Sequence, residues 1–162
     1  MNTTATPSSP WEPVLFVSNF YDTPLEGVAH FNGTPHLFLF EDERYLRKLK
    51  DGEDDYLRET RYALYPLDPE TLSSMQEAHA IFERWHRAFM RGESNIQQHP
   101  ALPEDRARYD DLKARHSAWK AEHTQQPPAH SRTGEFACDR RPVGEHESRW
   151  QSFEVRWLPW AE

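Results

Sequence analysis

Arg61–Gly92, RYALYPLDPETLSSMQEAHAIFERWHRAFMRG, is the stretch that decides the fold. Its first half dozen residues alternate in strand fashion, with Tyr62 and Leu64 on one face and Ala63 and Tyr65 on the other. A helix then starts abruptly. Asp68 suits the N-cap, where a carboxylate accepts the unpaired amides of the first turn. Pro69 suits the first helical position, which needs no amide donor, and Glu70 suits the positive end of the helix dipole. Leu72, Met75, His79, Phe82, His86 and Phe89 follow at alternating steps of three and four, flanked by Ala78, Ile81, Trp85 and Ala88. Gly92 falls where a left-handed C-terminal cap is expected. With Phe82 at the centre of this stripe, Phe82→Ala is expected to cost roughly 3–5 kcal/mol.

Upstream, Pro13–Phe20 reads as a strand with apolar groups on both faces, and Glu26–Glu41 as a hairpin. Asn32-Gly33 tolerates the positive φ of a two-residue type I′ turn. That turn sets Phe31 against Thr34, Ala29 against His36 and Val28 against Leu37. One face then carries Val28, Leu37 and Leu39, the other Ala29, Phe31, Phe38 and Phe40. Apolar residues on both faces imply a sheet covered on both sides. Asp42–Thr60 reads as a long second hairpin with its tip at Asp51-Gly52.

Downstream, Pro103-Glu104-Asp105 opens a second helix whose narrow stripe is Tyr109, Leu112, His116 and Trp119. Gly134–Asp139 suits a short strand. Phe153, Val155 and Trp157 alternate with Glu154 and Arg156, the pattern of a strand with one wet face. The expected fold is therefore α+β. A curved antiparallel sheet of four to six strands forms a half-open barrel, and amphipathic helices at about 69–91 and 103–122 pack on it. Residues 1–10, rich in Thr, Ser and Pro, are expected to form a disordered tail, and 11–162 a single domain.

Composition narrows function by exclusion. Hydrophobic residues make up 36% of the 162 and aromatics 13%, which points to a small core built from rings. The net charge of −8 opposes binding to phosphate backbones. A single cysteine, Cys138, rules out an internal disulfide, and its Phe136-x-Cys138 setting suits a small buried hydrophobe better than a reactive thiol. No apolar run is long enough to cross a bilayer as a helix, and the first ten residues lack the basic and apolar regions of a secretory signal, so a cytoplasmic setting is expected. Six scattered glycines leave no phosphate-cradling loop, and no serine sits in a nucleophile elbow.

Three functional expectations remain. The first is a small acidic, non-enzymatic protein-binding module without a cofactor, whose charge suits a basic partner and whose contacts include Trp150 and Trp160, since tryptophan is enriched at binding hot spots. The second is a metal-dependent hydrolase: His79, Glu83 and His86 share a helix face, and His116 and His123 could approach from the second helix. A matching carboxylate–histidine pair is missing there, because Lys113 precedes His116 by three. The third is a ligand site in the barrel mouth near Tyr21, His30 and His36.

Overall fold

A computed structural model describes residues 9–48, 56–93, 99–138, 141–142 and 152–160, with the backbone alone at 45–48, 56–58 and 141–142. The expected tail up to residue 8, the Asp51-Gly52 tip and Trp150 lie outside the described residues. The chain packs as two compact units. Residues up to Pro66 join those from Pro128 onward, and Leu67–Pro127 forms the other unit, inserted in sequence between two strands of the first.

The first unit is a barrel. Its strands are β1 (Trp11–Tyr21), β2 (Thr23–Phe31), β3 (Thr34–Lys48), β4 (Tyr56–Pro66), β5 (His130–Cys138) and β7 (Glu154–Pro159); a two-residue β6 (Arg141–Pro142) adds to β5. The order β4-β3-β2-β1-β7-β5, with β5 pairing back onto β4, closes six antiparallel strands. Closure goes further than the half-open form expected, because Arg61–Leu64 finds Thr133–His130 as its partner. Closure removes strand edges where the pairings run, while the β3–β4 hairpin continues beyond them to Lys48↔Tyr56 paired only with itself.

Local chemistry explains the register. Asn32 and Gly33 take positive φ (52° and 79°), the tight turn expected of them, and Phe31↔Thr34, Ala29↔His36 and Val28↔Leu37 follow. Glu12 steadies this turn from β1: its two carboxylate oxygens accept the amides of Asn32 (3.1 Å) and Gly33 (2.7 Å). β3 and β4 continue as the long hairpin read from the sequence.

Four rings fill the barrel. Phe38, Tyr62, Phe136 and Trp157 are all buried, and every pair among them lies with centroids 5.4 to 6.1 Å apart. Most pairs meet edge to face or tilted, the arrangement ring quadrupoles favour. Their polar handles are satisfied: the Tyr62 hydroxyl donates to the Pro24 carbonyl (2.6 Å) and Trp157 Nε1 to the His30 carbonyl (2.8 Å). Burial pushes the Tyr62 phenol well above its usual pKa. Gly134 makes room for the cluster, since a Cβ there would lie 2.9 Å from both Tyr62 and Trp157.

The second unit is a helical hairpin. α1 (Pro69–Met90) begins as expected, with Asp68 accepting the Thr71 amide (2.8 Å) and hydroxyl (2.7 Å). It ends with Gly92 at φ 70° and bonds from Gly92 to Phe89 and from Glu93 to Ala88, which satisfy its last carbonyls. A 3₁₀ turn (Pro103–Asp105) leads into α2 (Arg106–His123). Ser74 meets His116 while Arg84 meets Asp105, so the helices run antiparallel. Ala78, Ile81, Ala101 and Leu112 form their shared core, with Tyr109 against it. Among the described residues, no helix is long and apolar enough to cross a membrane.

The stripe on α1 needs correction. The deepest residues are Met75, Ala78, Ile81 and Ala88, which the sequence placed at the centre only in Met75's case. Leu72 and Phe82 are half-buried and Phe89 is 38% exposed. Small residues let α2 approach closely, so the contact line runs over alanines and Ile81 rather than over the largest rings.

Two stability measurements check these packings. Ile81→Ala should cost about 2–5 kcal/mol in chemical denaturation, and Phe82→Ala roughly half of a buried-ring truncation, below the Ile81 value; the reverse order would move the core to the other face. In the barrel, Gly134→Ala should cost about 1–3 kcal/mol despite adding only a methyl group, because two packed rings must shift. An unchanged midpoint would show that the interior is not filled as described.

Candidate functional site

Three places gather chemically capable side chains, two on the barrel and one on the helical hairpin. At the barrel end beside the Asn32-Gly33 turn, His36 is buried on the inner face of β3, with Nδ1 2.8 Å from the Thr34 carbonyl. Its ring lies 6.3 Å from His130 of β5, and Phe31 touches both, at 5.4 and 4.6 Å. Arg132 covers Phe31 at 5.4 Å. The His130 pKa is lowered by burial first, then by Arg132 and by His36.

Only part of the expected mouth assembles here. His36 is present, and His30 contributes its carbonyl, which accepts from Trp157. Tyr21 does not join them. It pairs with Thr23 at the other end of β2, and Thr23 is seven residues from His30, a rise of about 23 Å along the strand. His130 is the residue that sequence reading missed. It lies ahead of the expected 134–139 strand, and only the β4–β5 pairing, Leu64↔His130, brings it to the inner face.

The outer barrel surface carries the second set. β1 exposes Trp11 (43%), Pro13 and Leu15 (36%); after register irregularities between Val14 and Phe16, Val17 and Asn19, and Asn19 and Phe20, it also exposes Tyr21 (76%), opposite Thr23. Arg156, opposite Trp11 in the β1–β7 register, lays its guanidinium 4.9 Å from the Trp11 ring and holds Glu135 at 2.6 Å. Trp160 stands elsewhere on the barrel, half-buried, with Arg44 4.0 Å and Arg61 5.0 Å from its ring. Those arginines hold Glu59 (2.6 Å) and Glu41 (2.9 Å), and Thr133 donates to Glu59 (2.8 Å). The side chain of Trp160 is thus part of a cation–π and ion-pair network.

The third place is a groove of about 420 Å³ between the first turns of α1 and the length of α2 from Arg108 to Trp119. α1 supplies Glu70, Glu77 and the hydroxyls of Thr71, Ser73 and Ser74; α2 supplies Arg108, Arg115, His116 and Trp119. Glu77 and Arg108 close one end with two 2.8 Å hydrogen bonds, which hold the carboxyl below its ordinary pKa and the guanidinium above. On the floor, His116 Nε2 lies 2.9 Å from Ser74 Oγ, and that hydroxyl also reaches the Thr71 carbonyl (3.0 Å). His116 is pushed down to about 4 by burial first, then by Lys113 and Lys120, so it is neutral at pH 7. A serine beside an imidazole suggests a nucleophile and its base. Here, however, the serine lies within a helix and bonds backward to its own helix, and the base is far too weak for work near neutrality. The contact ties the two helices together.

The helix-borne histidines are distributed differently from a metal site. His79 Nε2 pairs with Glu83 at 3.2 Å along α1, His86 stacks on Phe82, and His123 stacks on Trp119. His116 stands level with Ser74, five residues before His79 and twelve before His86. Among the described residues, no group of three His, Cys, Asp or Glu side chains is placed to hold a metal. Cys138 is buried in the barrel core. No family model, curated protein or solved structure matches the chain.

The groove floor has a pH signature. With a folded value near 4 against an ordinary 6.5, His116 binds its proton more weakly in the native state. Its contribution is fully present above pH 6.5 and is lost as pH falls towards 4, an amount of about 2 kcal/mol after allowing for solvent at the groove. Urea denaturation from pH 7 to 4 should show this decline, and His116→Gln should flatten it. A residual slope from His130, also lowered, is expected to persist. An identical slope in both proteins would remove His116 from the acid response.

Proposed function

We propose that the protein is a non-enzymatic, cytoplasmic binding module that engages another protein through the exposed side chains of β1. The observation that carries this reading is the exposure of Trp11, Pro13 and Leu15 along the first half of β1, with Tyr21 exposed at its far end. Tryptophan and tyrosine dominate interface hot spots because they bury large area at small entropic cost. Held on a strand of a closed barrel, the row has a rigid backing and little ordering cost on binding. The filled interior supports the same reading, since the four central rings occupy the space a barrel ligand would need.

The acidic balance suits a basic partner: a net charge of −8 speeds encounter with a positive surface, and salt weakens that attraction. Contact energy would come from the apolar row, with the Arg156–Glu135 pair at its rim fixing orientation.

The double variant Leu15→Glu, Tyr21→Ser tests the proposal, because both side chains are exposed and the melting temperature should stay unchanged. Quantitative affinity capture followed by cross-linking should identify a basic protein held by the parent chain and lost by about tenfold or more in the variant. Equal recovery by both chains, or an inert monomer throughout, would refute the reading.

A further inference from the structure

We infer that the Asn32-Gly33 turn is a site of spontaneous covalent modification, deamidation of Asn32, and that Glu12 of β1 holds its rate down. Three observations meet at this turn. The chain reverses through Asn32 and Gly33, both exposed and both at positive φ (52° and 79°). A Cβ built on Gly33 would meet nothing within 4 Å among the described residues, so that side of the turn is open. Both oxygens of Glu12 are committed to the turn, accepting the Asn32 amide at 3.1 Å and the Gly33 amide at 2.7 Å.

The reaction needs only water. The Gly33 backbone nitrogen gives up its proton and attacks Cγ of Asn32; the new N–Cγ bond closes a five-membered imide. The Cγ–Nδ2 bond breaks, and the side-chain nitrogen leaves with a proton as ammonia. Water then opens the ring. Cleavage of N–Cγ gives aspartate, and cleavage at the backbone carbonyl carbon gives isoaspartate; nothing is oxidised or reduced. The attacking atom is thus the nitrogen whose proton Glu12 holds at 2.7 Å. A carboxylate is far too weak a base to remove an amide proton. Its charge instead opposes the amide anion that attack requires, and the hydrogen bond keeps that peptide in its place in the turn. Conversion, once made, undoes this protection, because an acid at position 32 sets a second negative charge beside Glu12. Isoaspartate also lengthens the backbone of a turn that sets Phe31 against Thr34.

The test ages the full chain in mildly alkaline buffer at physiological temperature. Peptide mass spectrometry scores acid at each asparagine, and enzymatic methylation counts isoaspartate. Asn32 should convert slowly in the folded parent and about fivefold or more faster in Glu12→Ala, as expected on losing a charged hydrogen bond. Glu12→Gln, which keeps an acceptor without the charge, should fall between them, and it makes the same comparison where Glu12→Ala loses its fold. The parent held unfolded in urea should convert at least as fast as Glu12→Ala. Asn19, also on β1 but followed by Phe20, is the internal reference. The inference is overturned if the parent and both Glu12 variants convert Asn32 at one rate, or if the folded parent matches the unfolded chain. Equal acceleration at Asn19 would overturn it too, since that marks a general loosening of β1. None of these outcomes depends on a partner for β1.

Discussion

Mutual contact among Phe38, Tyr62, Phe136 and Trp157 is the interaction on which the barrel depends. The four rings come from four different strands, β3, β4, β5 and β7, so each contact is also a constraint on strand placement. A barrel of six strands has an interior just wide enough for side chains, and rings fill it with few atoms of backbone. Tyr62 and Trp157 add direction. Their hydroxyl and indole donors reach the carbonyls of Pro24 and His30, near the two ends of β2, and so a fifth strand is tied to the cluster. Gly134 belongs to the same constraint, because the space of its missing side chain is taken by two of the rings. Gly27 plays a related part on β2, where a Cβ would meet the Phe16 carbonyl and the Phe38 ring.

In the helical hairpin the contact line runs over small side chains, with Ala78 and Ile81 meeting Leu112. Polar contacts then fix the register along the pair: Ser74 to His116, Glu77 to Arg108, Arg84 to Asp105. Exposed ion pairs contribute little to stability individually. Ser74–His116 and Arg84–Asp105 match one antiparallel alignment and contribute specificity instead, since sliding either helix by one turn breaks both, while the long side chains of Glu77 and Arg108 reach across it. The groove follows from the same geometry. Where the contacting residues are small the helices close, and where the chain carries Glu70, Arg115 and Trp119 they leave space between charged walls.

Much of this was legible in the sequence because it rests on short-range rules. The Asn32-Gly33 turn, the Asp68 cap, Gly92 and the alternation of Phe153, Val155 and Trp157 each follow from the preferences of a few neighbouring residues, and each appears in the structure where expected. The long-range features were not legible. Closure of the barrel depends on β4 meeting β5 across more than sixty residues of intervening chain, and β5 begins with His130-Ser131-Arg132, which has no apolar alternation of its own. The α1 stripe was misplaced for a related reason. Periodicity locates an apolar side but ranks residues by size, whereas a close helix–helix contact selects alanine. The groove and the β1 row left no local signal either. Ser74 with His116, and Trp11 with Arg156, are separated by 42 and 145 positions.

In the proposed binding mode, charge and apolar surface divide the work of recognition between them. Many of the arginines described are held by carboxylates, as in Arg44–Glu59, Arg61–Glu41, Arg108–Glu77 and Arg156–Glu135. Paired guanidiniums are poorly placed to add a second anion, so the excess of acids over bases is felt at long range as a diffuse negative field. Such a field attracts but does not select. Selection requires a surface whose shape does not change when a partner arrives, and the β1 backbone is held by Val17 in the core and by Glu12 on the Asn32-Gly33 turn. In such a module, negative charge would set the rate of encounter and the exposed side chains of β1 its specificity. Those two properties should respond separately, the first to salt and the second to substitution on β1.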